Sequence, residues 1–210
     1  SSDYKMYYDM AELYARTGFY NATDYIVVVA PNIVLYIILL GEVFKVFGST
    51  LLTAQMVNMV FLTGCITMVY LLAREFFGKK VSFLAALGLS LSPSYLLFSL
   101  LPSTETVAFF PYLAGMVLFL RALKTEKTGK RIGLAVVCGL VLGFSNEIRS
   151  NALIALIALS LWALIYKCRK SEYGFKRVFV LLLVVLVVVY AFGLGTDVIR
   201  DEVFMGKKSN

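Results

Sequence analysis

Apolar runs close to the length of a membrane crossing recur along this chain, and the loops between them hold most of its basic residues. Six such runs fall at about 54–72, 81–100, 105–120, 132–145, 152–166 and 178–195. A crossing helix needs about 20 apolar residues because the backbone must satisfy its own hydrogen bonds in hydrocarbon. The repetition therefore predicts an all-α, polytopic membrane helix bundle. Only 16% of residues are charged and mean hydropathy is +0.83, whereas soluble domains carry about 25% charge. Several runs are short, and glycines interrupt the fourth. Pro93 and Pro102 are expected to kink or end the second, since proline lacks the N–H that a helix interior needs.

Charge sets the expected orientation. The loops "REFFGKK" (74–80), "RALKTEKTGKR" (121–131) and "KCRKSEYGFKR" (167–177) hold 13 of the 20 basic residues but only three acids, Glu75, Glu126 and Glu172. Basic loops stay on the cytoplasmic side, so the other acids are expected in the spans or on the outer face. The net charge of +7 is thus a topological signal, and nucleic acid is not an expected partner. Cys65, Cys138 and Cys168 are far apart and the chain has no histidine, which reads as buried thiols rather than a metal or disulfide framework.

Before the first span, "YIVVVAPNIVLYIILLGEVFKVFGST" is broken by Pro31 and Asn32 and carries Glu42 and Lys45. Charges cost little at the interface and several kcal/mol at depth (roughly), so a surface or re-entrant helix is expected there. The opening "SSDYKMYYDMAELYARTGFY" places Tyr4, Tyr7, Tyr8, Ala11 and Leu13 or Tyr14 at three- and four-residue spacing. That is an amphipathic helix with tyrosines suited to the headgroup level. The expected organisation is 1–50 as an outer-face loop with interfacial helices, 51–196 as a six-span bundle, and 197–210 as an outer tail.

The order of these pieces resembles the N-terminal module of the GT-C fold glycosyltransferases. These are the polyprenyl-phosphate-sugar-dependent enzymes related to protein mannosyltransferases and aminoarabinose transferases. An acid precedes a Tyr-rich amphipathic helix, a Pro-Tyr helix ends in Phe-Gly, an Asn lies in the first span, and "SPS", "STE" and "R.N" follow in order. The resemblance implies a multi-pass enzyme whose active face is extracytoplasmic, in a bacterial or archaeal plasma membrane or facing the ER lumen in a eukaryote. It also implies a membrane helix upstream and further spans downstream. The implied activity is transfer of a sugar, with inversion, from a polyprenyl-phosphate donor to a protein, lipid or glycan acceptor.

The same resemblance puts the catalytic acid at Asp3, where a carboxylate would orient or deprotonate the acceptor; the alternative is that Asp3 caps the helix at Tyr4. Asp9 is a candidate for acceptor or metal binding, and Glu12 for a solvated helix face. No cofactor is required by the pattern, there is no DxD, and any divalent cation would rest on single acids. Arg149 and Arg200 are the candidates for the donor phosphate, because a guanidinium presents a planar fork of donors. A local pair with Glu147 is the alternative for Arg149. Many relatives carry a basic residue before the proline of the second juxtamembrane helix, but here Ala30 precedes Pro31. Glu105 matches an acid near the family's cavity rim, and equally fits a helix first turn after Ser103 and Thr104. Phe98, Phe109, Phe110 and Tyr112 suit packing or lipid contact better than an isoprenoid groove. Asn21 to Thr23 form a glycosylation sequon. A flippase for a lipid-linked substrate and a non-catalytic membrane subunit are the competing classes; neither internal repeats nor polar residues across the spans, as a transporter needs, are evident.

Overall fold

The computed structural model describes residues 3–18, 33–149, 154, 157–158, 160–161 and 175–199. Among them every regular element is a helix: α1 Asp3–Thr17, α2 Val34–Phe47, α3 Leu51–Arg74, α4 Lys79–Ser90, α5 Pro93–Ser99, α6 Thr104–Lys124, α7 Thr128–Ile148 and α8 Phe175–Ile199. Four of these, α3, α6, α7 and α8, are long and apolar enough to cross a membrane. At 1.5 Å per residue, 21-residue α6 and α7 extend about 31 Å, the depth of a hydrocarbon core. The protein is a multi-pass membrane helix bundle.

The run at 81–100 is divided. Ser92 is extended at φ −65°, ψ 121°, and Pro93 opens α5. The pyrrolidine ring disfavours α geometry in the residue before it, yet its fixed φ suits a first helical position. The glycine-interrupted fourth run, by contrast, is one continuous helix, and two of its three glycines face a neighbour. A Cβ on Gly139 would stand 2.6 Å from Val188 Cβ and 3.1 Å from the Val185 carbonyl, and one on Gly143 would stand 2.9 Å from Phe192. Glycines four residues apart on α7 thus let α8 approach closely, the small-residue packing that substitutes for a hydrophobic driving force inside lipid. The run at 152–166 lies largely outside the described residues.

Helix α3 packs against α4 and α6, α6 against α7, and α7 against α8. Phe119, Leu123, Ala135, Cys138, Leu142, Leu181 and Val185 fill the seam between α6, α7 and α8. Outward faces stay apolar, with Val60, Leu183 and Val187 exposed as lipid contact requires. Cys65 and Cys138 are buried free thiols, as expected; Cys168 lies outside the described residues.

At one end α1 lies against α2. Tyr7, Met10, Ala11 and Tyr14 form the covered face of α1, and Ile37, Leu40, Gly41 and Phe44 that of α2. Polar ties close the pair: Tyr14 Oη donates to Glu42 Oε1 at 2.8 Å, Tyr8 Oη to the Ser49 carbonyl at 2.8 Å, and Ser49 Oγ to Glu12 Oε1 at 3.1 Å. Lys45 lies 2.7 Å from Glu42 and 4.4 Å from the Tyr14 ring centroid. The tyrosines expected at the headgroup level therefore serve first as the contact surface between two helices. Glu12, expected as a solvated face, instead pairs with Arg16 at 2.6 Å and receives Ser49.

The opposite end gathers the basic loops. Glu75 after α3 takes Lys124 at 2.6 Å and Arg121 at 3.9 Å from the end of α6. Arg177 of α8 donates to the Thr125 carbonyl. The basic residues of 74–80 and 121–131, with Lys176 and Arg177, thus share one end of the bundle, away from α1 and α2.

Candidate functional site

Chemistry-bearing residues converge where α6 begins and α7 ends, beneath α1 and α2. Ser103 holds the N-cap position of α6 but makes no side-chain bond to the helix backbone. Its hydroxyl donates instead to Glu105 Oε2 at 3.0 Å, and Thr104 Oγ1 reaches the same oxygen at 3.3 Å. Glu105 Oε1 accepts from Arg149, which stands 44 residues later at the end of α7. The carboxylate is therefore held by three donors as well as standing in a helix first turn. The local alternative for Arg149 does not hold: Glu147 turns toward α8, with Oε1 3.4 Å from where a Gly193 Cβ would stand.

The Glu105 and Arg149 side chains are 38% and 47% exposed. Pairs so exposed contribute about 0–1 kcal/mol, too little for stability to be their main consequence. What the pair does is orientation. One N–H of the guanidinium engages Glu105, and a guanidinium carries further donors in its fork. Beside the pair is a cavity of ≈ 440 Å³, with Glu105 and Arg149 at its polar part and Tyr95, Phe98, Phe109 and Tyr112 as much of its wall. The Phe109 and Tyr112 rings stack there at 6.1 Å. Three aromatic residues expected to be packing or lipid contacts thus line the same hollow as the ion pair.

Helix α1 reaches this region through Tyr7. Its phenol is held above its ordinary pKa, by burial first and then by the carboxylates of Asp3 and Glu105, while Thr104 and Arg149 pull the other way. The Tyr7 ring meets Tyr36 of α2 edge-on at 5.8 Å. Tyr36 is fully buried, and its hydroxyl has no hydrogen-bond partner among the described residues. Burial pushes its pKa up, followed by Tyr7 and Glu105. An unsatisfied buried hydroxyl costs about 1–3 kcal/mol, so Tyr36, which does not itself line the cavity, stands out as a candidate that the sequence left unmarked. The one available signal was a tyrosine amid the aliphatic residues of α2.

Asp3 is exposed at the first position of α1, one turn before Tyr7. Asp9 is exposed too, but six residues on, about 240° round the helix, where its charge acts on Tyr8 and not on the cavity. Arg200, Ala30 with Pro31, and the sequon at Asn21 lie outside the described residues. Among the described residues no group of three or more His, Cys, Asp or Glu side chains is placed to hold a metal ion.

No curated protein and no solved structure matches the chain. A family model does, over residues 29–193, from just before α2 to within two turns of the end of α8. It takes in Tyr36, Glu105, Arg149 and the aromatic wall, and begins after Asp3 and Asp9. Membership implies a GT-C type, lipid-linked-sugar-dependent glycosyltransferase. A cavity with a cation at its polar part, at the end of the bundle where α1 and α2 lie, is thus found in a chain that belongs to the dolichyl-phosphate-mannose-protein mannosyltransferase family.

Proposed function

We propose that the chain transfers a sugar, mannose by its family, from a polyprenyl-phosphate donor to an acceptor at the cavity between α6 and α7. The observation that carries this reading is the union of the Glu105–Arg149 pair with an aromatic wall in one hollow. A polyprenyl-phosphate sugar has the same division: a charged diester and an apolar tail. In this reading the guanidinium of Arg149 takes the donor phosphate and Glu105 holds it in aim. Phe98, Phe109 and Tyr112 receive the first isoprene units. Arg200, beyond the described helix, is a second candidate for the phosphate. The acceptor oxygen attacks the anomeric carbon, the bond from that carbon to the phosphate oxygen breaks, and the electron pair leaves with polyprenyl phosphate. The acceptor proton passes to Asp3. Negative charge on the phosphate rises as the bond breaks, so a fixed cation favours the transition state over the ground state.

The cavity lies at the end of the bundle remote from the basic loops. By the positive-inside rule this end is extracytoplasmic, which supports an outer-face reaction.

Reconstituted protein, radiolabelled polyprenyl-phosphate mannose and a peptide or glycan acceptor test the reading. Arg149→Ala is expected to lower transfer roughly 10²–10³-fold, with Arg149→Lys recovering only part because a lysine is a point charge without the fork. Wild-type turnover by Arg149→Ala would sink the phosphate role.

A further inference from the structure

A second hollow lies at the other end of the bundle and has no part in the proposed transfer. It is a cavity of ≈ 400 Å³ between the start of α7 and α8, with Arg131, Lys176 and Arg177 on it beside Ile132 and Val180. Arg131 donates to Thr128 Oγ1 at 3.3 Å, and Arg177 to the Thr125 carbonyl. No ion pair among the described residues engages Arg131 or Lys176. The nearby acid Glu75 is already taken by Lys124 and Arg121. Helix α7 adds to the field, since its first turn begins with Arg131 N–H bonded to the Lys127 carbonyl. The three N–H groups before it have no partner within the helix.

We propose that this cleft binds the phosphate headgroup of an anionic phospholipid. Arg131 and Lys176, one from each helix, with no carboxylate among the described residues lining the cleft, attract phosphate. The other half of the lining is aliphatic, and Ile132 and Val180 are both about 40% exposed. A free anion gains nothing from those side chains, whereas a lipid's glycerol and first acyl carbons lie along them. The site is where an acyl chain enters the hydrocarbon layer, at the first turn of α8, whose apolar window is the most hydrophobic of the four spans. Basic pockets between membrane helices are suited to such headgroups, and each basic residue near an anionic surface strengthens binding severalfold.

The test uses the full chain in nanodiscs of mixed phosphatidylcholine and phosphatidylglycerol, with retained lipid counted by native mass spectrometry after detergent washing. The wild type is expected to keep phosphatidylglycerol over phosphatidylcholine. Arg131→Gln with Lys176→Gln should lower that retention tenfold or more, roughly. Lys79→Gln with Lys80→Gln removes the same charge at the same end outside the cleft and should leave it unchanged. Lys176→Gln alone, at an exposed side chain, carries the test with about a fivefold effect if the double variant does not fold. Equal retention of both lipids by the wild type, or an equal loss in the Lys79 and Lys80 control, overturns the proposal. So does binding of inorganic phosphate at the cleft with no lipid retained.

Discussion

Arg149 shows how one residue's meaning depends on its partner. In sequence its nearest acid is Glu147, two positions away, but adjacent residues but one on a helix point to different sides. The partner is Glu105, brought in by the packing of α6 on α7. Asp3 is the reverse case, named by resemblance and standing on the first turn of a helix whose Tyr7 senses both Asp3 and Glu105. If Asp3 is the base, Asp3→Asn lowers transfer roughly 10²–10⁴-fold while the detergent unfolding midpoint stays at the wild-type value; full activity in that variant removes Asp3 from the mechanism. Tyr36 separates two origins for a buried hydroxyl. Tyr36→Phe deletes a group without a partner among the described residues, so stability is expected to hold or to rise by about 1 kcal/mol. If the hydroxyl meets substrate, transfer nonetheless falls about tenfold, the scale of one hydrogen bond. A lowered unfolding midpoint would show that the hydroxyl is satisfied within the protein and has no substrate role.

At the scale of elements, the periodicity of α1 and the apolar runs of α3, α6, α7 and α8 were readable because each is a local property of consecutive side chains. The break at Ser92 and Pro93 was readable for the same reason, since proline acts on its own neighbours. What glycine does was not. Gly133 and Gly139 both lie in α7, yet a Cβ on Gly133 meets nothing within 4 Å and one on Gly139 runs into α8. Gly133→Ala is expected to stabilise the helix by about 0.5–1 kcal/mol. Gly139→Ala is expected to destabilise by about 1–3 kcal/mol through overpacking. Opposite shifts of the unfolding midpoint in detergent check the pair; a rise in both would mean that α8 is not seated on Gly139. The α1–α2 contact was half legible: the tyrosine spacing marked a face, but whether lipid or another helix would cover it depends on Gly41 admitting Tyr14, whose ring would stand 2.5 Å from a Cβ there.

At the scale of the whole molecule, the basic residues of 74–80 and 121–131, with Lys176 and Arg177, meet at one end, and the candidate site lies at the other. Single cysteines probed with an impermeant thiol reagent in intact cells, in a chain with Cys168 replaced, test which end faces the cytoplasm. Ser49→Cys, beside α1 and α2, is expected to label; Lys80→Cys, on the basic end, is expected to label only after permeabilisation. The opposite pattern would invert the topology and move the proposed reaction to the cytoplasmic face. Sequence alone determined that this is an all-α membrane bundle, the charge difference between its two ends and the family it belongs to, because hydropathy, loop charge and motif order are additive along a chain. Tertiary structure decided which acid faces which cation, that Phe98, Phe109 and Tyr112 share a hollow with them, and that Tyr36 is buried without a hydrogen bond to any described residue. Those depend on distances between residues up to 44 positions apart, which only the packing of one helix on another can set.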